Sequence, residues 1–294
     1  MNGILIVDKP QGWTSHDVVN RARHLLRERR IGHTGTLDPL ATGVLVLCIG
    51  KATRIVRYLE SADKEYRAEC RLGVITDTQD ADGRVLETRA YVPPSRFAVE
   101  KVLAAFQGAA LQRPPRYSAV KVAGVPSYRL ARQGVVQELQ ERPVTIHTIG
   151  LLDYADPVVR FHVTCSKGTY VRTLCSDLGI RLGCGAHLTA LVRMRAGRFV
   201  LAQAMGVEQL AELAAAGRAE EAAISMDEAL GDHPSVTVSS QDAWKIMHGN
   251  PVSGYPASAG TGAGDRIRLL EPGGTLIAVG VVQEGAIRPE VVLA

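Results

Sequence analysis

Apolar positions along the chain follow two different periods, and turn residues between them divide it into short elements. Gly3-Ile4-Leu5-Ile6-Val7 is a continuous apolar run stopped by Lys9-Pro10, the pattern of a buried strand entering a turn. Ser15 follows as the N-cap of a helix over residues 16–29, with Val18, Val19, Ala22, Leu25 and Leu26 on one face and Arg21, Arg27, Arg29 and Arg30 off it. Val44-Leu45-Val46-Leu47-Cys48-Ile49 is apolar on both faces and predicts a central strand. Looser alternation from Lys64 to Leu72 (Tyr66, Ala68, Cys70, Leu72) predicts a half-buried strand, and Asp82-Gly83 a hairpin turn before Arg84-Val85-Leu86. Phe97, Val99, Val102, Leu103 and Phe106 lie near helical spacing, which predicts a helix over 96–106. Strand-like runs occupy residues 142–165, a helix runs from Thr169 through Leu182, and a strand returns from His187 to Arg195. Strands and helices interleave irregularly, which predicts an α+β sheet domain rather than a strict doubly wound fold.

A break falls near Gly231-Asp232-His233-Pro234. Beyond it, strands at 235–239, 266–270 and 275–282, a helix near 240–248 and the glycine-rich stretch Gly254 to Gly264 predict a small β-rich module. The 294 residues suffice for one large domain plus this small one. No apolar run approaches the roughly 20 residues of a membrane-spanning helix, and the N-terminal apolar stretch is too short for a signal peptide, so a soluble cytoplasmic protein is expected. Cys48, Cys70, Cys165, Cys175 and Cys184 are odd in number and form no Cys-x-x-Cys, the usage of buried thiols rather than of a disulfide framework or a thiolate zinc site. The net charge of +4 hides an uneven distribution: residues 1–204 carry +11, residues 205–231 carry −5 and residues 232–294 carry −2. A positive excess concentrated in two-thirds of the chain suggests a polyanionic partner for that part.

Common cofactor and metal motifs fail on spacing. Gly260-Thr261-Gly262-Ala263-Gly264 lacks the flanking strand and helix of a dinucleotide site, and Gly50-Lys51 is followed by Ala52, which excludes a P-loop. Thr78, Asp80, Asp82 and Gly83 begin like a calcium loop, but its bidentate position falls on Arg89, so a hairpin turn explains them better. Cys184 and His187 offer two metal ligands where a structural zinc site takes four.

Three segments carry candidate chemistry. The loop Gly32-His33-Thr34-Gly35-Thr36-Leu37-Asp38-Pro39-Leu40-Ala41-Thr42-Gly43 holds one acid, Asp38, which is either a turn or cap residue or a nucleophile or base beside a basic surface. From Arg113 to Gly134 there are five cationic side chains and two tyrosines with no acid, suiting phosphate contacts with base stacking on looped RNA, or else a solvated basic loop. Ser166-Lys167-Gly168-Thr169-Tyr170-Val171-Arg172 is a glycine turn opening a helix, with Tyr170 and Arg172 in its first turn. There Arg172 either pairs with a loop carboxylate or lies on the surface.

Together with Asp8-Lys9-Pro10-Gln11-Gly12-Trp13-Thr14-Ser15 and Lys64-Glu65-Tyr66, and with Pro114-Pro115 to Lys121, these segments resemble in order and spacing the TruB-type tRNA pseudouridine synthases over about residues 2–200. The resemblance implies a mixed or antiparallel-sheet catalytic domain at 1–231 and a PUA-like RNA-binding module at 232–294. It implies isomerisation of uridine to pseudouridine at position 55 of the tRNA T-loop, with no cofactor and no metal, after the nucleotide is flipped out. By matching position, Asp38 is the nucleophile, attacking C1′, adding to C6 or assisting glycal formation, and Arg172 is its ion-pair partner. Tyr66 would stack on the uracil and help remove the C5 proton, Tyr170 would line the pocket, and His33 would fill the space the uridine vacates. Leu191 matches an apolar pocket position within Leu191-Val192-Arg193-Met194-Arg195, the segment that matches less closely; Lys9 and Pro10 would support the loop. The segment 112–134, with Arg116 and Lys121, resembles an insertion that grips the T-arm. A monomer needing no protein partner and no membrane is expected. The alternatives are a non-catalytic tRNA-binding or folding factor on the same scaffold, and a subunit of a guide-RNA complex, against which the compact basic insertion argues.

Overall fold

The structure is a computed structural model that describes residues 1–135, 138–255 and 262–293. The side chain of Arg132 and the loop residues Gly260 and Thr261 lie outside the described residues. The chain opens with β1 (Gly3–Lys9), α1 (Ser15–Leu26), β2 (Ile31–His33) and β3 (Thr42–Ile49). Helix α1 is capped by Thr14 rather than Ser15: the Thr14 hydroxyl accepts from the Asp17 amide while Asp17 accepts from the Thr14 amide, a capping box. Ser15 is instead buried inside the first turn. The helix stops at Leu26, short of the expected residue 29, because Arg27 turns left-handed at φ 52°.

A 3-10 turn leads to α2 (Val56–Glu60), β4 (Lys64–Leu72), the hairpin β5 (Val74–Thr76) and β6 (Val85–Thr88), α3 (Arg96–Ala104) and β7 (Gly108–Gln112). Strand β4 buries every second residue, as its alternation requires. Phe97 departs from the expected apolar face of α3 and is 73% exposed. It sits about 200° around the helix from the buried Val99, whose face Leu103 shares. The following segment carries β8 (Lys121–Val122), β9 (Val125–Pro126) and α4 (Ser127–Arg132), and then come β10 (Arg142–Ala155), β11 (Val158–Cys165), α5 (Val171–Arg181), β12 (Ala186–Ala196) and β13 (Phe199–Val200). Tyr170 stands at the N-cap of α5, one position before the first turn.

Nine strands form one mixed sheet in the order β1-β3-β12-β4-β11-β10-β7, with β2 beside β3 and β13 beside β12. Its pairs are antiparallel except at one seam, where β3 and β12 run parallel with Thr42 opposite Val192 and Gly43 opposite Arg193. The unbroken apolar runs of β1 and β3 have a simple cause. Leu5, Val7, Leu45, Leu47 and Ile49 face a core shared with α1 and with α6 (Val207–Ala215), while Ile4, Ile6, Val44, Val46 and Cys48 face a second core on the other side. A third core, under α3 and α5, contains Leu37, Leu40, Tyr66, Phe161, Leu178 and Leu191. All five cysteines are buried free thiols.

After α7 (Met226–Ala229), the C-terminal part forms its own five-stranded sheet from β14 (Ser235–Thr237), β15 (Val252–Ser253), β16 (Arg266–Leu270), β17 (Leu276–Gln283) and β18 (Ala286–Val292), covered by α8 (Ser240–Met247). Leu276, Val279, Val291 and Leu293 nonetheless enter the core of Ile4, Ile6 and Val44, so the small sheet is packed against the large one.

The seam permits no side chain at residue 43. Gly43 has φ +99°, and a Cβ there would lie 2.3 Å from the Arg193 carbonyl oxygen. Gly43→Ala should therefore cost about 2–4 kcal/mol in urea unfolding, against about 1 kcal/mol for Gly217→Ala, which shares a positive φ in open space. Equal losses for the two would show that the close approach carries no energy.

Candidate active site

The loop before β3 is tied down at nearly every residue around Asp38. The Ser15 hydroxyl donates to the Leu37 carbonyl at 3.2 Å and accepts from the Leu37 amide at 2.8 Å. The Gly12 amide donates to the Pro39 carbonyl at 2.8 Å, and the Gly43 amide donates to Asp8 Oδ1 at 3.0 Å. Lys9, wholly buried, donates from Nζ to the carbonyls of Pro10, Trp13 and Pro39, the structural support expected of it. Burial pushes the Lys9 ammonium down to about 8, opposed chiefly by the charge of Asp38.

Arg193 completes the clamp. It is buried on β12, and its guanidinium donates to the carbonyls of Val44 at 2.6 Å, Gly35 at 3.1 Å and Thr36 at 3.5 Å. Sequence reasoning singled out Leu191 and passed over Arg193, although period-two alternation puts the two on one face of β12. A buried arginine facing carbonyls holds the loop without a competing carboxylate.

Asp38 itself makes none of the contacts of a cap: among the described residues no backbone amide donates to its carboxylate. Its oxygens face Arg172, with Nη2 donating to Oδ1 at 3.1 Å and Nε standing 2.9 Å from Oδ2. Arg172 projects from the first turn of α5 and is only 4% exposed, whereas Asp38 is 32% exposed, so the carboxylate looks outward from a buried cation. Arg172 also donates to the carbonyls of Thr78 at 3.1 Å and Tyr117 at 2.9 Å, and Nη1 lies 3.4 Å from Asp80 Oδ2.

Asp80 therefore does more than the turn expected of it. It does shape the β5–β6 connection, accepting a bond from the Thr78 hydroxyl, but it also gives Arg172 a second carboxylate. Burial raises the Asp80 carboxyl above its ordinary value, opposed by the Thr78 bond and the Arg172 charge. The available sequence signal was an acid in a turn that fails to complete a calcium loop; its partner lies far along the chain.

Tyr66, on β4, is buried beside Arg193, and Leu191 lies in the same core. Burial raises the Tyr66 phenol above its ordinary range, opposed by Arg193, and raises that of Tyr170, opposed by the Ser118 hydroxyl and Arg172. Both are therefore protonated at neutral pH, able to stack and to donate. His33, half-buried at the end of β2, accepts the Gly35 amide at Nδ1 at 3.3 Å, and burial lowers its imidazolium. Arg116 and Lys121 are brought to no carboxylate of this site; they are exposed on the basic segment.

Arg193→Met should remove the donors of three loop carbonyls and cost about 2–4 kcal/mol in thermal or urea unfolding. A loss below about 0.5 kcal/mol would show that the loop is held without it.

Comparison with known proteins gives the family of the chain. The family model for the N-terminal domain of TruB family pseudouridylate synthases matches residues 23–171, and that for the tRNA pseudouridylate synthase B C-terminal domain matches residues 172–232. The tRNA pseudouridine synthase B of Syntrophotalea carbinolica is 46% identical over 278 residues, covering 94% of this chain and 90% of the relative. That of Geobacter sulfurreducens is 44% identical, covering 93% and 91%. A solved Cbf5-Nop10-Gar1 complex contains a chain superposing with a TM-score of 0.78 at 28% identity, over 99% of this chain and 85% of that one. The chain belongs to the TruB family of pseudouridylate synthases.

Proposed function

We propose that this chain isomerises uridine to pseudouridine at position 55 in the T-loop of tRNA, with Asp38 as nucleophile. The observation that carries this reading is the Asp38–Arg172 pair: a partly exposed carboxylate whose loop is fastened by other groups and whose two oxygens are set by one buried guanidinium. The net reaction breaks the N1–C1′ bond, forms a C5–C1′ bond, releases the proton on C5 and leaves a proton on N1, so the redox state does not change. One carboxylate serves whether it attacks C1′, adds to C6 or assists glycal formation.

The other residues take roles consistent with their surroundings. A buried, protonated Tyr66 favours stacking on the flipped uracil over service as a ready base for the C5 proton. Tyr170 and Leu191 line the apolar side of the pocket, and His33 fills the space left in the RNA. Flipping costs a few kcal/mol, which contacts made elsewhere on the RNA must offset. Arg116 and Lys121, exposed on the basic segment, supply such contacts through backbone phosphates. The two-sheet arrangement supports a catalytic unit at 1–231 with a PUA-like module at 232–294, and the proposal extends to a monomer working in the cytoplasm.

Incubating the purified chain with an unmodified tRNA transcript and mapping pseudouridine should place it at position 55 without a guide RNA. Asp38→Asn should abolish turnover, by roughly 10³-fold or more, while tRNA affinity stays within about twofold. Binding without modification by the wild-type chain would favour the folding-factor reading, and modification only with an added guide RNA would favour the complex-subunit reading.

A further inference from the structure

Residues Gln112 to Ser118 lie across the start of α5 as a strap. The Gln112 side-chain amide is buried and makes two opposed bonds to one residue: its oxygen accepts from the Tyr170 amide at 2.7 Å and its Nε2 donates to the Tyr170 carbonyl at 3.1 Å. The Arg113 carbonyl accepts from the Thr173 hydroxyl at 3.5 Å, and the Tyr117 carbonyl accepts from Arg172 Nη2 at 2.9 Å. The strap therefore engages every residue from 170 to 173 except Val171. The Tyr170 carbonyl also accepts the Leu174 amide at 3.2 Å as the first bond of the helix, whereas the Tyr170 amide, which lies before the helical ladder, is paired by Gln112.

We propose that Gln112 is a positioning residue for the reaction. By clasping the Tyr170 backbone it sets the first turn of α5, and hence the direction from which Arg172 meets Asp38. The same strap runs into Arg113, Arg116 and Lys121, so RNA held by these cations is mechanically joined to the guanidinium that orients the reacting carboxylate. The clasp needs one group that both donates and accepts at glutamine's length. Glutamate keeps the acceptor for the Tyr170 amide but presents a carboxylate to the Tyr170 carbonyl, and alanine removes both bonds. This inference rests on the proposed function for its readout.

The test measures single-turnover pseudouridine formation and tRNA affinity for wild type, Gln112→Ala, Gln112→Glu and Arg172→Lys, and for Gln112→Ala combined with Arg172→Lys. Misplacing the reacting groups by about an ångström costs roughly 10²-fold, so Gln112→Ala should lose about 10- to 100-fold in rate with tRNA Kd within threefold. Gln112→Glu should lie between it and wild type. In the Arg172→Lys background Gln112→Ala should cost less than about threefold more, because its effect passes through Arg172. Rate losses that multiply in full in the double variant, or a weakened Kd with an unchanged rate at saturation, overturn the proposal. If Gln112→Ala fails to fold, Gln112→Glu decides: a rate equal to that of wild type overturns it. A wild-type chain that is active while these variants behave otherwise sinks only this inference, whereas an inactive wild-type chain sinks the proposed function with it.

Discussion

A guanidinium almost wholly removed from water needs its partners inside the protein, and Arg172 draws four parts of the chain together: both terminal nitrogens donate hydrogen bonds, while Nε meets Asp38 as an ion-pair contact only. Asp38 comes from the loop before β3, Thr78 and Asp80 from the β5–β6 connection, the Tyr117 carbonyl from the strap, and the arginine itself from α5. Removing any one partner leaves buried charge less well compensated, which makes the cluster sensitive to small displacements. The same concentration of contacts gives the Asp38 carboxylate a defined direction.

The surrounding cations divide the work. Lys9, Lys64 and Arg193 are buried and donate to backbone carbonyls: Lys64 to those of Glu60 and Ala62, Lys9 and Arg193 to those bordering Asp38. Loop geometry is thus held by cation-to-carbonyl bonds, and the oxygens of Asp38 are not consumed in holding its own turn. Arg193 also reaches the seam where β3 and β12 run parallel, so the one break in the sheet's antiparallel pattern lies directly behind the site. The Asp38 carboxylate is thereby held on a rigid support.

Legibility in the sequence followed the range of the interaction. The apolar runs of β1 and β3 and the alternation of β4 are local patterns, and they located the strands closely. Asp38 stood out as the one acid in a polar glycine loop, and Arg172 came through resemblance. Asp80 and Gln112 did not emerge as functional, because each acts through a partner at least 58 positions away and neither spacing nor composition encodes that meeting. Arg193 was recoverable, since it shares a strand face with Leu191, but an arginine in an apolar alternation reads as outward-facing until its carbonyl partners are known. Phe97 differs for another reason: its spacing is only near-helical, and residues 97 and 99 lie on opposite faces of the helix.

In the proposed reaction it is the fixed geometry of Arg172, and not its charge alone, that makes Asp38 reactive. Lysine preserves the charge but replaces the planar fork with a point donor. The most direct measurement is the single-turnover rate of pseudouridine formation by Arg172→Lys at saturating tRNA. A loss of roughly 10²-fold or more is expected, with tRNA affinity close to wild type; an Arg172→Lys rate within about threefold of wild type would contradict the role of the guanidinium's geometry.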